Sequence, residues 1–284
     1  MPIASYQIRP MTRSHLSIAL RWAAREGWNP GLHDADALHS LDPEGFLMGW
    51  LGDGPVASIS CVRYSSHYAF VGFYMVDPLL RGHGLGEAIW AASFERVRGC
   101  VVGLDGVVAQ QHNYRNAGFE MAWYNVRYQG AGREAQGVTD ARVVPLSGIP
   151  FEALAVHDLA FHPEPRPAFL RAWIQMPQSH ALGWWQDGEL KGYGVIRACV
   201  QGHKLAPLCA DTPAIAAALF EALCARVPAA EPVFMDVPEC NPLATQLALG
   251  QGMVATFPTA RMYRGPAPQL ALSRLYGLTS LEVG

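Results

Sequence analysis

At 284 residues, half of them hydrophobic and 16% charged, the chain has apolar material for two packed domains of ordinary size rather than one. A net charge of −3 with no long basic run argues against nucleic acid or an anionic membrane as partner. The six cysteines, at 61, 100, 199, 209, 224 and 240, form no C-x-x-C pair and no Cys/His pair at zinc-ligand spacing. They read as small buried hydrophobes in a reducing compartment, with no metal.

The opening residues carry Arg9, Arg13 and Arg21 without a long apolar core, which is unlike a secretory signal. No window of about 18 apolar residues reads as a membrane span, so a soluble, cytoplasmic protein is expected. Leu16, Ala19, Leu20, Ala23 and Ala24 recur at helical spacing and predict a helix ending near Gly27. Glu26-Gly27-Trp28-Asn29-Pro30-Gly31 has turn composition, and a short second helix is expected after it. Strand-like runs cover 46–51 and 56–64, with a hairpin turn at Gly52-Asp53-Gly54-Pro55. A further strand, 69–76, leads into a glycine-rich turn. Then follow an amphipathic helix over 85–98, a strand over 101–108, a short helix around Tyr114 and a strand over 120–128.

Gln129 to Gly137 is polar and glycine-rich and reads as a linker. The expected domains are therefore 1–130 and 140–284, joined by 131–139. The second half shows helices over 151–160 and 167–176, strands over 181–186 and 193–199, a helix over 214–226, a strand over 233–237, a helix over 243–249 and a strand over 260–263. Recurrence of element order at half-chain period predicts a duplicated mixed α/β unit.

The chemistry concentrates in the turn Val76-Asp77-Pro78-Leu79-Leu80-Arg81-Gly82-His83-Gly84-Leu85-Gly86. Alternating glycines permit positive φ and let an anion approach the backbone, while the following helix start offers unpaired N–H donors and the positive end of its dipole. Arg81 adds charge-assisted hydrogen bonds. The third glycine comes one residue early for a dinucleotide fingerprint, and no Gly-Lys-Ser/Thr follows for a P-loop. The competing reading is an unliganded tight turn.

R-G-x-G-x-G after a strand and V-x-P resembles the acetyl-CoA signature of the GNAT N-acetyltransferases. Tyr114-Arg115-Asn116-Ala117-Gly118-Phe119 matches that family's tyrosine four residues before a Gly-Phe pair. Asn241 to Leu247 and Thr259 to Gly265 extend the likeness to tandem GNAT proteins of the YitH/HolE type. The resemblance implies a mixed, mostly antiparallel sheet flanked by helices, in two tandem GNAT-like domains of which the second is degenerate. It implies an acetyl-CoA-dependent acetyl transfer to the primary amine of a small molecule by direct attack on the thioester. The cosubstrate would lie on Met75, Val76, Arg81, Gly82, His83, Gly84, Leu85 and Gly86.

Tyr114 would then protonate the departing thiolate, a role that suits a phenol neutral at pH 7; the competing reading is an aromatic packed at the helix base. The strand 70–74 contains no carboxylate to deprotonate the amine. Glu26 and His112 are the two candidates for that base, against a solvated acid and a structural histidine. Trp28, Asn29 and Tyr74 would border the acceptor, although Trp28 and Asn29 equally suit a staple that holds their loop. In the second half Ala248 stands where Tyr114 stands in the first, and Cys209-Ala210-Asp211-Thr212-Pro213 lacks the glycines and the arginine. That half is expected to bind no CoA and to shape the acceptor site. Arg261 and Tyr263, or Asp236 and Glu239, offer acceptor contacts, against plain ion pairing or core packing. The rival to an enzyme is a non-catalytic acyl-CoA-binding sensor.

Overall fold

A computed structural model describes residues 6–134 and 140–284. The first half runs β1 (Tyr6–Pro10), α1 (Arg13–Arg25), α2 (Asp34–His39), β2 (Phe46–Leu51), β3 (Gly54–Arg63) and β4 (Tyr68–Val76). It continues with α3 (Leu85–Glu95), β5 (Val101–Val107), α4 (Gln111–Asn116) and β6 (Glu120–Ala131). Thr12 caps α1 by accepting the His15 N–H, a contact worth about 1 kcal/mol. Leu16, Ala19, Leu20 and Ala23 form the buried stripe that their spacing predicts. Helix α3 stops at Glu95, three residues earlier than its pattern implies, and Gly99 with φ +84° closes the turn beyond it.

The second half contains β7 (Val143–Pro145), α5 (Phe151–Asp158), α6 (Pro167–Ile174), β8 (Ser179–Gln186), β9 (Glu189–Ala198) and β10 (His203–Ala210). It ends with α7 (Pro213–Cys224), β11 (Pro232–Pro238), α8 (Pro242–Gly250), β12 (Val254–Arg264) and β13 (Leu275–Gly277). Strands β1, β7, β10 and β13 carry no clear alternation and are legible only in the sheet. The expected fold class is borne out: a largely antiparallel sheet, with parallel pairs β4–β5 and β10–β11, flanked by helices. Duplication is visible in hydrogen bonds. Phe119 N–H donates to Tyr114 C=O at 3.0 Å, and Met253 N–H donates to Ala248 C=O at 3.0 Å. Each closes its helix through a positive-φ glycine, Gly118 or Gly252.

The two halves exchange their last long strands. The order is β1-β2-β3-β4-β5-β12-β6-β11-β10-β9-β8-β7, so β12 lies between β5 and β6, and β6 pairs with β11. Each half thereby covers an edge that would otherwise present unpaired N–H and C=O groups. This corrects the linker expected over 129–137: Gln129, Gly130 and Ala131 are strand, paired with Phe234, Val233 and Pro232. Residues 135–139 of that linker lie outside the described residues.

Helices α3 and α4 cover one face of the first-half sheet, over Ile59, Val71, Leu104 and Met262. On the other face α1, α2 and α6 enclose Phe46, Phe73, Met75 and Val283. Buried ion pairs join the halves: Arg197 grips Asp34 at 2.7 and 3.1 Å, and Arg127 on β6 grips Asp236 at 2.7 and 2.9 Å. Among the described residues no helix is long and apolar enough to cross a membrane.

Candidate active site

Strands β4 and β5 pair in parallel from Tyr68–Val101 to Val71–Leu104, and the pairing then stops. A bulge drives them apart. Ser58 on β3 opposes Met75 and Ser60 opposes Gly72, which leaves Phe73 and Tyr74 facing one residue. Phe73 has φ +47°, uncommon for a bulky side chain, and Ser58 Oγ holds its carbonyl at 2.8 Å. The bulge sends Phe73 into the α1–α2 core and Tyr74 toward α3, where its ring meets Trp90 at 5.2 Å. A cavity of about 460 Å³ opens through the sheet at this fork.

At one mouth lies the glycine turn. Gly82 and Gly84 have φ +80° and +78°, and a β-carbon at either would meet nothing within 4 Å, so their outer face is open. Gly84 begins α3 with no side-chain cap, and the N–H groups of Leu85, Gly86 and Glu87 precede the first bond of that helix, Ala88 N–H to Gly84 C=O at 3.0 Å. Met75, Val76, Arg81, Gly82, Gly84 and Gly86 all line the cavity; His83 and Leu85 do not. Leu85 is buried beneath the turn, and the exposed His83 ring folds back on the Leu80 and Arg81 carbonyls. Arg81 donates to Val76 C=O at 3.1 Å and to Glu26 Oε1 at 2.9 Å. The pairing is half-exposed, so its contribution is small.

Tyr114 reaches the cavity from α4, against Trp90 at 6.0 Å. Gly106 on β5 makes the room, since a β-carbon there would sit 2.3 Å from the Tyr114 ring. Burial, with the Tyr74 phenol nearby, pushes the Tyr114 pKa up to about 12. Its hydroxyl has no hydrogen-bond partner among the described residues. It is therefore protonated at neutral pH and free to donate into the cavity.

The remaining candidates divide. Trp28 and Glu26 line the cavity, Glu26 as the partner of Arg81. Asn29 does not: it is buried at φ +51°, and its amide exchanges hydrogen bonds with the Gln201 backbone at 2.9 and 2.8 Å. The loop is held further where Arg127 and Lys204 donate to Trp28 C=O at 2.7 and 3.4 Å. His112 is exposed, contacts Asn116 at 3.1 Å and lies outside the lining. Tyr74 lines the cavity on the α3 side rather than beside Trp28. Of the second-half residues, Arg261 is bound by Asp105 at 2.7 and 2.6 Å and touches Tyr263 Oη at 3.3 Å. Asp236 is the partner of Arg127, and Glu239 is exposed away from the lining.

Four lining residues come from the second half and are not marked as site residues by the sequence: Phe257 and Thr259 on β12, and Leu281 and Glu282 beyond β13. They reach the fork only because β12 is exchanged and because the 278–284 segment crosses onto the first half. Tyr64 Oη donates to Val283 C=O at 2.6 Å, and Arg166 donates to Gly284 C=O at 3.0 Å.

The equivalent fork in the second half is closed. Strands β10 and β11 pair only at His203–Val233 and Lys204–Phe234 before diverging, and β13 fills the gap. It pairs with β10 at Leu208 and Cys209, and Leu278 N–H donates to Asp236 C=O at 2.8 Å. Among the described residues no cluster of His, Cys, Asp and Glu could hold a metal ion.

A strand bulged open beside a glycine turn and a helix start thus borders the cavity, and the chain belongs to the GNAT acetyltransferase family. Residues 14–119 match the model of the acetyltransferase (GNAT) family and 155–277 match that of an acetyltransferase (GNAT) domain, two copies in tandem. The holothin acyltransferase of Pseudoalteromonas sp. (strain SANK 73390) is 31% identical over 276 residues, which is 97% of this chain and 94% of that protein. A Pyrococcus horikoshii structure described as a candidate acetyltransferase has the same fold, at TM-score 0.83 and 20% identity over 100% of this chain and 98% of its own. A tandem GNAT protein of the clavulanic acid biosynthesis pathway superimposes at TM-score 0.63 and 15% identity, covering 93% of this chain and 100% of its own. The protein is an acyltransferase.

Proposed function

We propose that the first half binds acetyl-CoA, or another short acyl-CoA, and that its acyl group passes to the primary amine of a small molecule by direct attack on the thioester. The observation that carries this reading is the unpartnered Tyr114 hydroxyl in a cavity that joins the glycine turn to the opened edge of β4. The N–H groups at the start of α3 and Arg81 would hold the pyrophosphate, with Glu26 the counter-ion that the phosphate displaces. Main-chain groups at Met75 and Val76 would receive the pantetheine as an added strand and polarise the thioester carbonyl. Tyr114 gives its proton to the sulfur as it leaves. The second half takes no CoA in this reading, since β13 stands where the pantetheine would lie and Ala248 stands for the tyrosine. Its role is to complete the acceptor side.

The test is thiol release from acetyl-CoA across a panel of amines, with calorimetry of CoA binding. Holothin, named in the 31% identical relative, belongs on that panel. Turnover supports transfer; binding with no turnover on any amine points to an acyl-CoA sensor, and absence of binding removes both readings.

A further inference from the structure

Two aromatic residues of the cavity lining come from different halves of the chain, Trp28 from the loop between α1 and α2 and Phe257 from β12. One buried side chain meets both. Arg127 on β6 is 3% exposed, donates to Trp28 C=O at 2.7 Å, and holds its guanidinium carbon 5.9 Å from the centre of the Phe257 ring, within cation–π range. Phe257 is also its cross-strand partner, beside a register shift in the β6–β12 pairing that skips Thr256. The skipped residue fastens the same point, since Thr256 Oγ1 donates to Arg127 C=O at 3.1 Å. The guanidinium in turn grips Asp236 at 2.7 and 2.9 Å. Its donors are coplanar at fixed angles, so holding Asp236 on two of them sets the direction of the one that meets Trp28.

Charge accounts for only part of this arrangement. Arg127, Arg197 and Lys204 are buried together with Asp34, Asp236 and Glu282, and the Glu282 carboxylate acts on all three cations, so the group is balanced. Buried ion pairs of this kind are often no more stable than apolar residues of the same volume. Arg127 is the member whose contacts run to lining residues of both halves. Lys204 adds a longer bond to Trp28 C=O, at 3.4 Å, and Arg197 is spent on Asp34 and on the Trp173 ring, which lies outside the lining.

We infer that Arg127 is a positioning residue for the acceptor: it sets the gap between Trp28 and Phe257 in which the apolar body of the amine lies. This rests on the acyl-transfer reading above. Arg127 itself touches neither the thioester nor the attacking nitrogen in this role. It tunes amine affinity through the two rings, and the acetyl-CoA side of the cavity does not depend on it.

The test uses a charge-neutral pair of substitutions in the full chain, with acetyl-CoA and with tryptamine as the amine probe. Where tryptamine is not turned over, the amine of the panel with the fastest turnover replaces it. Arg127→Met alone strands Asp236 and should lower the melting temperature. Adding Asp236→Asn leaves Arg197 and Lys204 against Asp34 and Glu282, and should restore it. That double variant should still raise the amine KM by about tenfold with kcat nearly unchanged, the signature of lost ground-state binding. Its acetyl-CoA affinity, by calorimetry, should equal that of the wild type. With both rings truncated by Trp28→Ala and Phe257→Ala, the same pair should change kcat/KM for the amine by less than about twofold, because nothing is left to position. A wild-type amine KM in the double variant, a parallel loss of acetyl-CoA affinity, or an undiminished effect without the rings overturns the role of Arg127 and leaves acyl transfer standing. A wild type inactive on every amine overturns both.

Discussion

Gly72 and Glu282 lie back to back: a β-carbon on Gly72 would stand 2.1 Å from the Glu282 carbonyl oxygen. The clash is with backbone, which cannot swing aside as a side chain does. Gly72→Ala should therefore displace the 278–284 segment, with loss of amine turnover and little change in CoA affinity. Calorimetry and thiol release on one preparation separate the two. Equal loss of both would show that the segment supports the donor site as well.

Tyr114→Phe removes the donated proton and keeps the ring on Trp90. It should lower kcat by about 100-fold with acetyl-CoA affinity unchanged. Gly106→Ala acts on the same ring through space and should reproduce the defect with the phenol still present. A full-speed Tyr114→Phe enzyme would remove the tyrosine from the mechanism.

Glu26→Gln distinguishes a counter-ion from a base. Freed of its ion pair, Arg81 should bind the pyrophosphate more tightly, by about two- to fivefold, the scale of an exposed pair. Turnover at saturating acetyl-CoA should be unaltered. A large fall in kcat instead would restore Glu26 as the proton acceptor.

Arg197→Met leaves Asp34 charged and buried. Breaking one member of such a pair should destabilise the protein by about 3–5 kcal/mol, read by urea denaturation. The double variant with Asp34→Leu should recover much of that loss, because the cost lies in the stranded carboxylate.

Acid should weaken the packing around two buried histidines of the second half. His162, packed on Tyr64 and Tyr68, has its pKa lowered to about 3 by burial and by Arg166; His157 is lowered to about 4 by burial and by Arg274. Both are neutral when folded and take up protons near pH 6.5 when unfolded. Their contribution is thus complete above pH 6.5 and declines as pH falls toward the folded values, by at most about 1.4 kcal/mol per pH unit for each. His162→Phe, which keeps a ring but cannot be protonated, should flatten the curve of stability between pH 6.5 and 4.

The glycine turn and Tyr114 were legible in the residues because their parts are local. A glycine turn between a strand and a helix, and a tyrosine four residues before Gly118, lie within short stretches whose backbone demands are visible one residue at a time. The helical stripe of α1 and the absence of that turn from the second half are equally local. The wall of the cavity opposite the glycine turn depends on contacts more than 170 residues apart, as when Asn29, next to the lining residue Trp28, meets Gln201 at a separation of 172 and Ser60 meets Glu282 at 222. No periodicity encodes them. The polar run that resembled a linker became strand because β11 offered it an edge to pair with, and Glu282 came to line the cavity because Gly72 left room for its backbone. Local sequence determined the glycine turn and the placing of Tyr114 before Gly118; the exchange of two strands and the path of residues 278–284 decided which side chains share their cavity.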